Sequence, residues 1–275
     1  MHIRFRFAKL GKVRFTSQRD VARMWERALR RAGLPVAYTE GFSPRPRLSF
    51  GLALPTGCES QAEYLDVVLD PRRPETAHVE VVALPDLVSP LLPDGIGVCD
   101  AAPLAPGRGS LQQEVTSCSW EVDVAGLTPG ELVVQVARFL EAPSVPLTRE
   151  RKGRLVEDDV RRSVVSLAVA ERPAAAGLTA AGPATARLEA ELATRPRGVR
   201  PVELVAGIAV ANGTATGEGP VPGAADGRRG TGSPVLDRAC RTQQWIERDG
   251  IRAEPLAWGR PADADRAGHA LERAS

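Results

Sequence analysis

Residues 2–7, His-Ile-Arg-Phe-Arg-Phe, alternate strictly: Ile3, Phe5 and Phe7 fall on one side of an extended chain, and His2, Arg4 and Arg6 fall on the other. A helix cannot hold that period, so the chain must begin with a strand that has one apolar face and one cationic face. Val13 and Phe15 resume the pattern after Leu10, Gly11 and Lys12, which reads as a β-hairpin. Ser17 then offers an N-cap to Gln-Arg-Asp-Val-Ala-Arg-Met-Trp, and the helix is expected to stop at Gly33, with Pro35 just beyond. At about 100° per residue, Val21, Met24, Trp25, Ala28, Leu29 and Ala32 share an apolar side. Arg19, Arg23, Arg27 and Arg30 line the opposite side.

A Pro-rich loop over residues 41–46 follows, then strands in RLSFGLALP and AEYLDVVLD and a short helix in PETAHVEVVALPDLV. The second half opens with an alternating strand, SCSWEVDVAGL. A helix with Thr128 as cap and Pro129 at its first position comes next. VPLTRERKGRLVEDDVRRSVVSLAVA reads as two strands around a turn at Lys152–Gly153. ARLEAELAT is a strand, RPVELVAGI a helix, and ACRTQQWIER a strand or helix. The order β-α-β-β-β-α-β predicts an α+β protein of two ferredoxin-like-related lobes, with antiparallel or mixed sheets and helices on one face. The expected lobes are residues 1–105 and 115–248. The second is interrupted by low-complexity inserts at 171–185 and 211–234, whose few large apolar side chains cannot offset the entropy of ordering, and residues 249–275 are expected as a disordered tail.

The formal net charge of +2 hides an asymmetry: residues 1–50 carry twelve Arg and Lys against Asp20, Glu26 and Glu40. Such an excess in a folded segment points to a polyanion, most often nucleic acid. The candidate contacts are Arg4, Arg6 and Arg14 on the hairpin, Arg19, Arg23, Arg27 and Arg30 on the helix, and Arg45 and Arg47 in the loop. Pro44 and Pro46 hold that loop extended, which displays its arginines with little entropy left to lose on binding. An enzyme would need more than the chain offers. Cys58, Cys99, Cys118 and Cys240 match no metal or cluster spacing and read as free thiols. His2, His78 and His269 have no catalytic setting, and no GxxxxGK[ST], GxGxxG or HExxH occurs. The run Glu157, Asp158, Asp159 beside Arg149, Arg151, Lys152 and Arg154 reads as a hairpin neutralising its own charge. No catalytic group, metal or cofactor is therefore expected. Arg4, Arg6, Lys9 and Lys12 interrupt any N-terminal apolar run, and no stretch reaches the roughly 18 apolar residues of a membrane helix, so a cytoplasmic protein is expected.

RFAKLGKVRFTSQRDVARMWERALRRAGLPVAYTEGFSPRPRLSFGLALPTGCESQAEYLDVVLD resembles the N-terminal part of the radical SAM-linked protein family, and weaker similarity continues through VPLTRERKG and RTQQWIE. Asp20, Arg23, Glu26, Arg27, Gly41, Phe42, Pro44, Pro46, Phe50, Pro55, Gly57, Glu63, Tyr64 and Asp66 stand on the family motif. Gln18 and Arg45 stand where the family usually has histidine. The resemblance implies an accessory role beside a separately encoded radical SAM protein. Combined with the arginines, it gives the leading expectation: an adaptor that binds RNA, from tRNA or rRNA, with no membrane association. Two alternatives stand beside it. One is an enzyme acting on RNA or a nucleotide through Asp20, Glu63 and Asp66; the other is a subunit that only docks on protein.

Overall fold

The computed structural model describes residues 1–105, 109–151, 153–170, 185–215 and 233–257. In chain order the elements are β1 (His2–Lys9), α1 (Gln18–Arg31), β2 (Leu48–Phe50), β3 (Glu59–Val68), α2 (Leu84–Val88), β4 (Ile96–Pro103), α3 (Leu111–Glu114), β5 (Ser117–Ala125), α4 (Pro129–Glu141), β6 (Pro146–Arg151), β7 (Arg154–Asp159), β8 (Val164–Ala170), β9 (Thr185–Ala193), α5 (Pro201–Ala211), β10 (Val235–Arg248) and β11 (Ile251–Ala253). The protein is α+β, with mostly antiparallel strands and few helices. It divides into two units, one of Met1–Thr116 with the chain from Arg241 onward, the other of Ser117–Cys240. Strand β10 supplies residues to both.

In the first unit the strands run in the order β4-β1-β3-β10, with β2 added on β3 and β11 on β10. β1 is antiparallel to both neighbours. Its apolar face, Ile3, Phe5 and Phe7, is buried against Val21, Trp25, Ala28 and Leu29 of α1. The Trp25 ring lies 5.4 Å from Phe5 and 5.0 Å from Phe7 in tilted and edge-on arrangements that aromatic quadrupoles favour. The Ser17 hydroxyl caps α1 by accepting from the Asp20 amide.

Three expectations for this unit change. The hairpin after Leu10 is a 3-10 helix, Gly11–Phe15, because Lys9 Nζ donates to the Thr16 carbonyl at 2.9 Å and draws the chain into a tight coil; Phe15 is left 63 % exposed. The helix read into residues 74–88 is two 3-10 turns and the five-residue α2, as its valines and prolines would have it. Residues 249–257, expected as the start of the tail, are structured: Asp249 and Gly250, both at positive φ, turn the chain so that β11 pairs with β10, and Leu256 is buried. That Asp-Gly pair between two strands is a signal for a two-residue hairpin turn. The remainder of the expected tail, residues 258–275, lies outside the described residues, as do Lys152, residues 171–184 and 216–232 of the inserts, and His269.

In the second unit β9 lies between β5 and β8, antiparallel to each, and β6 and β7 form a separate two-stranded ladder. Thr128 and Glu131 form a reciprocal capping box at the start of α4. Leu132, Val136 and Phe139 of α4 and Leu204, Val205 and Ile208 of α5 are buried. The strand order differs from expectation by one: residues 146–170 make three strands, because a 3-10 turn at Arg161–Ser163 separates β7 from β8. The carboxylates of β7 are tied locally. Asp158 pairs with Arg149 at 2.5 Å and Arg197 at 2.8 Å, and Asp159 accepts from the Val145 and Arg161 amides. Burial pushes the Asp158 carboxyl up, but the hydrogen bonds and charges of the two arginines outweigh it and hold it below the usual range.

Gly95, in the first unit, adopts φ +90°, and a Cβ there would stand 2.4 Å from the Leu10 carbonyl oxygen. Its own carbonyl accepts from the Leu10 amide at 2.8 Å, closing the turn that brings β4 beside β1. Gly95→Ala is expected to cost more than the about 1–3 kcal/mol of left-handed strain alone, read as a lower denaturant midpoint at unchanged slope.

Candidate functional site

The arginines of the first fifty residues separate into two populations. Arg4 is fully buried. Its guanidinium forks onto Asp66, Nε to Oδ1 at 2.6 Å and one Nη to Oδ2 at 2.8 Å, and its other Nη donates to the Pro255 carbonyl. Arg6 donates to Glu254 at 3.0 Å, and Arg14 approaches Glu59 at 3.4 Å while lying over the Phe15 ring. The expected cationic strand face is therefore no anion contact at Arg4: the returning residues 251–256 cover it, and Arg4 and Arg6 are spent on internal pairs. β1 and β3 place the Arg4–Asp66 pair directly across the ladder, so the charges sit where opposite cross-strand pairs stabilise.

Arg19, Arg23, Arg27, Arg30, Arg31, Arg45 and Arg47 are exposed. Arg23 lies 3.7 Å from Asp20, and Arg27 Nε bonds the Arg23 carbonyl. Among the described residues no carboxylate pairs with Arg19, Arg27, Arg30, Arg31, Arg45 or Arg47. The loop that carries Arg45 and Arg47 is a small hairpin. Tyr38 bridges Pro46, the Thr39 amide donates to the Arg45 carbonyl, the Arg45 amide donates to the Thr39 hydroxyl, and the Arg47 amide donates to the Ala37 carbonyl. At its tip Gly41 takes φ +119° and the Phe42 side chain stands wholly in solvent. Gln18, in the first turn of α1, is exposed too.

The three carboxylates of the enzyme alternative do not converge. Asp20 serves the cap of α1 and accepts from the Ser17 hydroxyl, Asp66 holds Arg4, and Glu63 is buried against Arg241 at 2.5 Å. Among the described residues no group of three or more His, Cys, Asp and Glu is placed to hold a metal ion, and no helix is long and apolar enough to cross a membrane. Among the described residues Cys58, Cys99, Cys118 and Cys240 form no disulfide. Of the remaining motif residues, Glu26 is half-buried on α1, Phe50 packs edge-on against Phe7, and Gly57, at φ +90°, donates its amide to the Arg14 carbonyl.

A family model described as "Uncharacterized protein conserved in bacteria (DUF2344)" matches residues 2–199. The chain belongs to that family. The match takes in both arginine populations of the DUF2344 protein up to Arg47 and the whole of the 37–47 hairpin; Arg241 and Glu254, which hold Glu63 and Arg6, come after it. No curated protein matches the sequence. Among solved structures, a chain of the "Crystal Structure of a Cbf5-Nop10-Gar1 Complex" is similar at a TM-score of 0.43 and 12 % identity, over 87 % of this chain and 49 % of that one. The DUF2344 chain thus spans about half the length of that chain, and at this score the likeness bears on neither fold nor function.

Sequence reasoning missed Tyr38, Arg31 and Lys9. Lys9 is buried, which pushes its ammonium below the usual range although the nearby Glu63 charge pulls the other way. Tyr64 is buried with its hydroxyl 3.0 Å from Gln243 Oε1 and 3.4 Å from Glu254. Burial first, and then the Glu254 charge, push its phenol far above the usual tyrosine range. A phenol raised in the fold leaves stability intact below its unfolded value near pH 10 and removes it as pH climbs further. In Tyr38→Phe the remaining tyrosine should therefore give tyrosinate absorbance only together with unfolding; a titration complete while the fold persists would contradict this. Removing the fully buried Arg4 leaves the part-buried Asp66 carboxylate without its guanidinium, so Arg4→Ala is expected to cost on the order of 3 kcal/mol, and the pair Arg4→Met with Asp66→Leu considerably less, measured by urea unfolding.

Proposed function

We propose that this protein is a binding module that holds RNA through the exposed arginines of α1 and the 37–47 hairpin, and that it works in the cytoplasm as an accessory of a separately encoded radical SAM protein. The observation that carries the RNA reading is the unpaired state of Arg19, Arg27, Arg30, Arg31, Arg45 and Arg47 among the described residues. A fold that neutralises Arg4, Arg6 and Arg14 internally leaves these six to solvent. Unpaired guanidinium groups grip phosphates bidentately and release counterions as they do so. Such contacts position a nucleic acid without reading its bases. The partnership with a radical SAM protein rests on the sequence resemblance alone. It suits a chain whose cysteines and histidines offer no cluster-binding spacing, since the radical chemistry would then belong to the partner.

A second reading has its own observation. Phe42 stands wholly exposed at the tip of a hydrogen-bonded hairpin, between Gly41 and a proline-fixed strand, and a large apolar side chain presented this way suits insertion into a protein pocket. In that reading the hairpin docks on the partner while α1 holds the RNA.

Filter binding of RNA across a salt series tests the first reading, and co-purification of the partner tests the second. Arg27→Ala with Arg30→Ala should weaken RNA retention and reduce the slope of log affinity against log salt by about 0.7 per arginine for single strands. Phe42→Asp should leave that slope unchanged and reduce recovery of a co-purified radical SAM protein at high salt. Undiminished RNA retention by the arginine variant would contradict the proposal.

A further inference from the structure

Two clefts of the first unit share Arg30. One, of about 330 Å³, is lined by Arg27, Arg30 and Arg31 with Met24, Leu91 and Pro93, and its polar chemistry is purely cationic. The other, of about 280 Å³, opens between the C-terminal end of α1 and the base of the 37–47 hairpin; its lining includes Tyr38, Pro46, Glu26, Arg30, Asp70 and Arg73. Here two cations meet two carboxylates beside the negative end of the helix, so a phosphate gains nothing from entering. A flat, uncharged group with donors and acceptors along its edge gains from both signs.

Tyr38 supplies the surface for such a group. It is 49 % exposed, and it shares the cleft with Pro46, its antiparallel partner, so the two side chains stand on one face of the hairpin. The bonds from the Thr39 amide to the Arg45 carbonyl and from the Arg47 amide to the Ala37 carbonyl, each 2.8 Å, hold that face in place before any ligand arrives. Among the described residues neither Glu26 nor Arg30 has an ion-pair partner, and both remain available to a base edge. We propose that the smaller cleft seats one unpaired nucleobase of the bound RNA, stacked on Tyr38, while the adjoining cleft of three arginines grips the phosphate beside it. This rests on the RNA reading and narrows it to single-stranded RNA, because in a duplex the base faces and edges are already occupied.

The test compares a single-stranded oligoribonucleotide with a duplex of the same length, and with free adenosine and guanosine monophosphates, on wild type, Tyr38→Ala and Tyr38→Phe. Tyr38→Ala is expected to bind the single strand about 5- to 150-fold more weakly, the range found for one base stacked on an aromatic ring, with its salt slope unchanged. Tyr38→Phe keeps the ring and should bind near the wild-type level, and duplex affinity should be the same in all three. If Tyr38→Ala binds the single strand as wild type does, the base site is overturned while the arginine reading stands. If wild type retains no oligonucleotide but binds a free nucleotide that Tyr38→Ala loses, the site stands as a nucleotide pocket and the RNA reading falls. If wild type binds neither, both fall.

Discussion

The pairing of the fully buried Arg4 with the part-buried Asp66 is the constraint around which the first unit is organised. Taking a guanidinium out of water is tolerable only if its donors are met, and here Asp66 takes two and the Pro255 carbonyl a third. The same pair marks the register of β1 against β3. A slip of one residue would carry Arg4 to the face now held by Ile3, Phe5 and Phe7 and set it among Trp25 and its neighbours. The first strand can thus be apolar on one side and charged on the other while Arg4, on the charged side, is still buried.

That arrangement decides which arginines remain for function. The sequence shows one undivided basic segment, whereas the fold sorts it by partner. Arg4, Arg6 and Arg14 meet acids in β3 or beyond β11, and those on α1 and the hairpin meet solvent. What decides membership is the element's place in the fold: α1 packs on the core by its Val21, Trp25, Ala28 and Leu29 side, so its other side faces solvent, where among the described residues only Arg23 approaches an acid, Asp20 at 3.7 Å.

The readable parts of the chain were those whose causes are local. The Ser17 cap, the Thr128 and Glu131 capping box, the period of Ile3, Phe5 and Phe7, and the arginine stripe all lie within a few residues of their effects. The Arg4 partners lie 62 and 251 positions away, and no local pattern predicts them. The cleft beside Tyr38 was equally hidden, since it depends on Val36 meeting Leu69 across the chain. The β10–β11 turn is different: its Asp249-Gly250 pair is a local signal for a two-residue hairpin turn. After Leu10 the alternation of Val13 and Phe15 mimics a strand period, whereas the buried Lys9 ammonium, bound to the Thr16 carbonyl, sets the local geometry.

The central claim is the division of the arginines, and labelling with an arginine-selective dicarbonyl, read peptide by peptide with and without bound RNA, tests it most directly. Arg19, Arg23, Arg27, Arg30, Arg31, Arg45 and Arg47 should react quickly in the free protein and be protected by RNA, while Arg4 stays inert in both states. Rapid labelling of Arg4 in the folded protein, or exposed arginines that RNA leaves unprotected, would contradict the account.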